Sequence, residues 1–205
     1  ELRAANTFRG TFLIGGDGTV HAYDGNAFGS TGAGTTLYEH FYEDGVGNTG
    51  VVGANLFLYN LATDEPFRVE SHDKSRHFMA AEGTVTINGP VVIKGVQATL
   101  TAEQGCRLVF NAGLTCVAAS GSSVRFCAGT GAEIVFNNVS NAVPIYNALQ
   151  GYLTGRLVFN VRNNIGGYSI LPMVCGCDYA FDGAVFDWDN GGYHGKMDLA
   201  GHDQR

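Results

Sequence analysis

The chain has 205 residues, of which 30 are Gly and only 15% are charged, with a formal net charge of −7. This balance suits a turn-rich β protein long enough to bury a sizeable core. It argues against nucleic-acid binding, which needs a basic face, and no apolar run reaches the roughly 18 residues of a membrane span.

In chain order, residues 1–50 read as an irregular, Gly-rich, cap-like region. Short strands are expected at 11–14 (TFLI) and 19–23 (TVHAY), each followed by a turn signal, GGDG and then DGN. Residues 20–24 resemble a degenerate first copy of the repeat described below. Residues 25–36 (GNAFGSTGAGTT) read as an exposed loop, and 37–43 (LYEHFYE) as one aromatic strand holding His40.

From residue 51 onward a five-residue pattern recurs. The clearest copies are 107–111 (RLVFN), 133–137 (EIVFN) and 156–160 (RLVFN); looser ones are 56–60 (LFLYN), 84–88 (TVTIN) and 183–187 (GAVFD). Their start-to-start spacings are 28, 23, 26, 23 and 27 residues. A strand returning at such a period marks a solenoid, in which one coil cannot bury its apolar face alone but stacked coils can. The expected fold is all-β: a parallel, right-handed β-helix over 51–205, continuous as one domain, with about 23–28 residues per coil. Secondary strands at 91–93, 98–101, 115–117 and 123–126 give three strands per coil and a roughly triangular section. Residues 98–101 and 123–126 align at a spacing of 25.

Strand side chains alternate between faces. The second and fourth positions of the repeat, Phe57/Val85/Leu108/Ile134/Leu157/Ala184 and Tyr59/Ile87/Phe110/Phe136/Phe159/Phe186, are therefore placed inside. The first position points outward and sets Arg107, Glu133 and Arg156 in a ladder of alternating charge. The third also points outward yet is apolar (Leu58, Val109, Val135, Val158, Val185), which reads either as strand propensity on a solvated face or as a face covered by a loop or a second subunit. The fifth position, Asn60, Asn88, Asn111, Asn137, Asn160 and Asp187, forms a structural ladder where the strand ends, since Asn and Asp suit turns and bond nearby backbone.

Candidate chemistry gathers in two stretches. Residues 63–77 (TDEPFRVESHDKSRH) are the most polar in the chain, and function tends to sit on loops held by a rigid scaffold. His72, Lys74 and Arg76 with Asp187 and Asp189 form the catalytic set an enzyme would use. Trp188, Asp189, His72 and Asp73 are the ligand-binding candidates, because Trp beside Asp can grip a sugar. Asp182, Asp187 and Asp189 could hold calcium, an oxygen-seeking ion; no other cofactor is implied. A solvated strand-and-turn reading competes with each. No nucleophile elbow, phosphate loop, dinucleotide fingerprint or zinc-protease motif is present. The interval 163–181 reads as a longer loop. The five Cys are odd in number, with Cys106 at inward parity, and read as buried thiols rather than a disulfide framework.

Residues 195–204, through Met197, Leu199, Gly201, Asp203 and Gln204, resemble the autotransporter-associated β-strand repeat. That resemblance implies the β-helical passenger domain of a large bacterial surface or secreted protein, at the cell surface or outside the cell, with no shared catalytic residues. The chain is expected to be a piece of a larger polypeptide, whose remainder would be its first partner.

Three functions stay open: a structural or adhesive surface solenoid that meets glycans or a host surface; a carbohydrate-active β-helix enzyme, either a polysaccharide lyase or hydrolase or a tailspike-like depolymerase of phage type; and a filament or homo-oligomer subunit. The first is favoured, with no nucleic acid, no membrane span in this segment and no enzymatic role.

Overall fold

The computed structural model describes residues 1–16, 18–43, 49–71, 76–95, 97–117, 123–137, 155–159, 178–181 and 196–198. These form an all-β solenoid of about four turns. The strands are β1 Phe12–Ile14, β2 Thr19–Ala22, β3 Thr35–Leu37, β4 Glu39–Glu43, β5 Thr49–Gly53, β6 Asn55–Tyr59, β7 Ala62–Thr63, β8 Phe67–Ser71, β9 Arg76–Glu82, β10 Thr84–Ile87, β11 Val91–Gly95, β12 Gln97–Ala102, β13 Arg107–Phe110, β14 Leu114–Val117, β15 Ser123–Ala128, β16 Glu133–Phe136, β17 Arg156–Phe159, β18 Asp178–Phe181 and β19 Lys196–Asp198. They build three parallel sheets. The first runs β1-β3-β8-β11-β14, the second β2-β6-β9-β12-β15, and the third β7-β10-β13-β16-β17-β18-β19. Three consecutive coils visit the sheets in the same order: β8-β9-β10, β11-β12-β13 and β14-β15-β16. The coil before them interposes an antiparallel hairpin, β4–β5, between β3 and β6.

Alternation within each strand supplies the core. Leu37, Phe67, Val69, Val91, Ile93 and Leu114 come from the first sheet, Leu56, Leu58, Phe78, Ala80 and Leu100 from the second, and Val85, Ile87, Leu108, Phe110, Ile134 and Phe136 from the third. A line of touching rings threads the coils: Phe28 meets Phe67 at 5.3 Å, Phe67 meets Phe78 at 5.0 Å, and Phe110 stacks on Phe136 at 5.5 Å. Burying each Phe or Leu side chain contributes about 1.5–3 kcal/mol.

The corner between the second and third sheets needs a left-handed residue in successive coils. Asn60 (φ 44°), Gly83 (61°), Gly105 (72°) and Gly131 (72°) supply it. Gly does so without a Cβ penalty, and Asn is among the few side chains that tolerate it.

Several expectations are corrected here. The copy at 56–60 is not a third-sheet strand: β6 lies in the second sheet, in register with β2 through Val20↔Leu56. Leu56 and Leu58 are its buried residues while Phe57 and Tyr59 are partly exposed, so the assigned parity is reversed. The cause is that Asn60 turns the chain into the next sheet, where Ala62–Thr63 and then Asp64 take the places given to 56–60. At the other end, β17 is followed in the third sheet not by 183–187 but by Asp178–Phe181, with Arg156↔Asp178 in register, inside the stretch expected as loop. The expected strand at 37–43 is two strands of different sheets, broken at Tyr38. In the second sheet Gln97 pairs with Ser123, a spacing of 26 rather than 25, and a one-residue slip exchanges the two faces. Within residues 1–50, β1 and β2 fall on the strands expected at 11–14 and 19–23, and β1, β2 and β3 join the first and second sheets.

Candidate functional site

Two ladders run along the third sheet. On its outer face Arg107 Nε donates to Glu133 Oε2, and Arg156 Nη1 to Glu133 Oε1, both at 3.0 Å. The register β16-β17-β18-β19 extends this row to Asp178 and Lys196, so charge sign alternates over five neighbouring strands. Parallel pairing stacks these positions about 4.8 Å apart. Each exposed pair contributes roughly 0–1 kcal/mol, so the row disfavours wrong register more than it stabilises the right one.

Where the third sheet turns toward the first, the amide of Asn137 donates to Asn111 Oδ1 (2.8 Å), Asn111 to Asn88 Oδ1 (2.8 Å), and Asn88 to Asp64 Oδ1 (3.0 Å). An amide both donates and accepts, so it can continue such a chain, whereas an ionised carboxylate only accepts and must end it. Asp64 therefore terminates the row. Asn60 stands outside it, at the left-handed corner, where its Oδ1 accepts the backbone N–H of Thr84.

Between the charged and amide rows lies the outward apolar column of the third sheet. Val109 is 6% exposed and Val135 0%, although both face away from the core cluster. The chain's own atoms cover them. Leu58, assigned to the same column, is a core residue of the second sheet, and Val158 is half-buried. Residue 185 lies outside the described residues.

The second sheet carries on its outer face a set of rings that the repeat reading assigned to the interior or left aside. His21 stacks on Phe57 at 4.9 Å with planes 8° apart, Tyr23 stacks on Tyr59 at 4.3 Å, and Arg3 lies 4.3 Å over the Tyr23 ring. His21 Nδ1 and the Tyr59 hydroxyl are 2.7 Å apart. Burial, then Tyr23, raises the Tyr59 phenol above its usual range, while the Arg3 guanidinium holds the Glu1 carboxyl below its own. The rings stack their faces on one another. The signal that could have found them is the matching register of 19–23 (TVHAY) and 55–59 (NLFLY), legible only once both are placed in one sheet.

On the first sheet, an open groove of ≈ 340 Å³ is lined by Thr11, Thr36, Arg68, Val92 and the turns at Gly34, Pro66 and Pro90. Its cation is engaged, since Arg68 Nε pairs with Glu70 at 2.8 Å.

Of the residues singled out in the sequence, His72, Asp73, Lys74, Asp182, Asp187, Trp188, Asp189 and Asn160 lie outside the described residues. Arg76 opens β9, its backbone paired with Ala98. Among the described residues no group of three His, Cys, Asp or Glu gathers as a metal set. Six of the described carboxylates are occupied locally. Glu1, Glu70 and Glu133 sit in ion pairs, Asp24 accepts the backbone N–H of Asn26, Asp64 ends the amide row, and Glu65 is inside the core. Cys106 is a buried thiol, raised in pKa by burial, and Cys127 is half-exposed; neither is in a disulfide. In comparisons with protein families, curated proteins and solved structures, nothing matches this chain.

Proposed function

We propose that this chain is a structural and adhesive segment of a secreted or cell-surface β-solenoid protein, of the kind that bacterial autotransporters display as passengers. The observation that carries the reading is the use made of polar side chains. Along the third sheet they bond to the same position one coil away, fixing the stack instead of converging on a point where a substrate would react. Catalysis needs a nucleophile or an acid–base pair aimed at one reacting atom, and glycoside cleavage needs two carboxyls about 5–10 Å apart across the scissile bond. The carboxyls of Glu1, Asp24, Asp64, Glu65, Glu70 and Glu133 are instead dispersed among ion pairs, turns and the core. A rigid stack with the His21/Tyr23/Phe57/Tyr59 edge on its side suits a spacer that meets glycans or another surface.

The test is a panel of polysaccharides and glycans, scored together for binding and for product release. Binding without turnover supports the adhesive role. Release of reducing or unsaturated ends, lost in Asp187→Ala or His72→Ala, would replace it with the carbohydrate-active enzyme. Assembly into a homo-oligomer has less motive than the sequence suggested, because the valine column that prompted it is covered within one chain at Val109 and Val135.

A further inference from the structure

We propose that the corner at Glu65 is a proton-operated lock on the N-terminal coils: protonated, it seats the β7–β8 turn on β3, and deprotonation at higher pH loosens that part of the stack while the later coils stay closed. Glu65 is 1% exposed. Its Oε1 accepts the Thr35 hydroxyl at 2.6 Å, and its Oε2 is buried with no hydrogen-bond partner. The turn around it is tightly held. The Thr63 hydroxyl donates to Gly25 O at 2.6 Å and accepts the Glu65 N–H at 3.1 Å. Gly89 of the next coil packs so close that a Cβ there would overlap the carbonyls of Asp64 and Glu65.

No cation among the described residues faces this carboxyl. β3 offers only Thr35. The 24–28 turn brings Asp24, of like sign, which caps Asn26. On its own segment Asp64 is exposed and bonded by Asn88. From β8, Arg68 and Glu70 lie on the opposite, outward face of the strand and pair with each other, and the turn that follows β10 brings Gly89 and Pro90. An ionised carboxylate would thus sit in the core with one hydroxyl for support, a strongly unfavourable state. The residue after the amide row reads Glu65, Gly89 and Ala112 in three successive coils, so of these three only the first carries an ionisable group there.

Burial raises the Glu65 pKa, the Thr35 hydrogen bond opposing in part. The folded state therefore holds its proton more tightly than the unfolded chain does. Stability from this group is complete below the ordinary carboxylate range and is lost as pH rises through the raised value.

The experiment uses the full chain with ¹³C-labelled Glu. The Glu65 Cδ resonance is followed from about pH 4 to pH 9, spanning the ordinary carboxylate value and well above it. Amide hydrogen exchange is measured alongside, corrected for intrinsic base catalysis, with Glu65→Gln as a permanently neutral mimic. We expect Glu65 to titrate above the ordinary carboxylate range, and exchange over residues 12–37 and 62–71 to accelerate roughly tenfold for each tenfold rise in its proton affinity over the unfolded chain. Residues 107–117 should not follow, and Glu65→Gln should be flat throughout. A Glu65 Cδ already ionised at about pH 5 would overturn the proposal without any variant. So would identical pH profiles in the wild type and Glu65→Gln.

Discussion

Asn111→Ala probes how much the amide row holds the stack. Asn111 sits mid-row, donating to Asn88 and accepting from Asn137, each at 2.8 Å. The substitution removes both bonds and leaves the Asn88 oxygen and the Asn137 amide without those partners. A hydrogen bond contributes about 1 kcal/mol net, and an orphaned group costs more as it is more buried. Asn88 is exposed and recovers water, whereas Asn137 is half-buried. The expected loss is therefore about 2 kcal/mol, nearer 3 if water cannot reach the Asn137 amide. For a domain of this size that lowers the melting temperature by roughly 4–8 °C. Urea unfolding followed by far-UV circular dichroism measures it, with Asp64→Asn as the companion variant. An Asn side chain at 64 still offers an oxygen to Asn88, so that change should stay within about 0.5 kcal/mol of the wild type at neutral pH. A loss below about 0.5 kcal/mol in Asn111→Ala would refute the view that the row couples the coils.

Parity in β6 separates two readings of one pentapeptide: Leu58→Ala should cost about 2–5 kcal/mol as a core truncation, and Phe57→Ala, losing a half-exposed ring, clearly less in the same denaturation assay. Reversing one charge in the outer row, Arg107→Glu, should destabilise by no more than about 1 kcal/mol, and the effect should shrink as salt is raised. Gly131→Ala should cost roughly 1–2 kcal/mol from its φ of +72° alone, since nothing lies within 4 Å of the added methyl. Gly89→Ala, which drives a methyl into backbone carbonyls of the previous coil, should cost more, read as a larger drop in melting temperature.

The sequence by itself determined the solenoid. A pentapeptide returning at 23 to 26 residues fixed the third-sheet strands β10, β13, β16 and β17, because a period-two strand with two apolar positions has one way to bury both. It also gave the Arg107–Glu133–Arg156 row, since in parallel stacking equal positions in the repeat become neighbours in space. What it could not settle was which copies share a sheet. Residues 56–60 (LFLYN) match the pattern in residue type at its second, fourth and fifth positions, yet Asn60 serves as a left-handed corner rather than a strand end. Apolar residues at four successive positions let either parity look buried, and only packing against β2 and β9 chose Leu56 and Leu58. The same holds for the ring cluster, where His21 and Phe57 lie 36 residues apart with the β4–β5 hairpin between them, so that no local spacing relates them. Glu65 reads in sequence as one more charge in a polar stretch. Its burial is decided by the chain folding back through Thr35 and Gly89, and burial is what turns an ordinary carboxyl into one that keeps its proton.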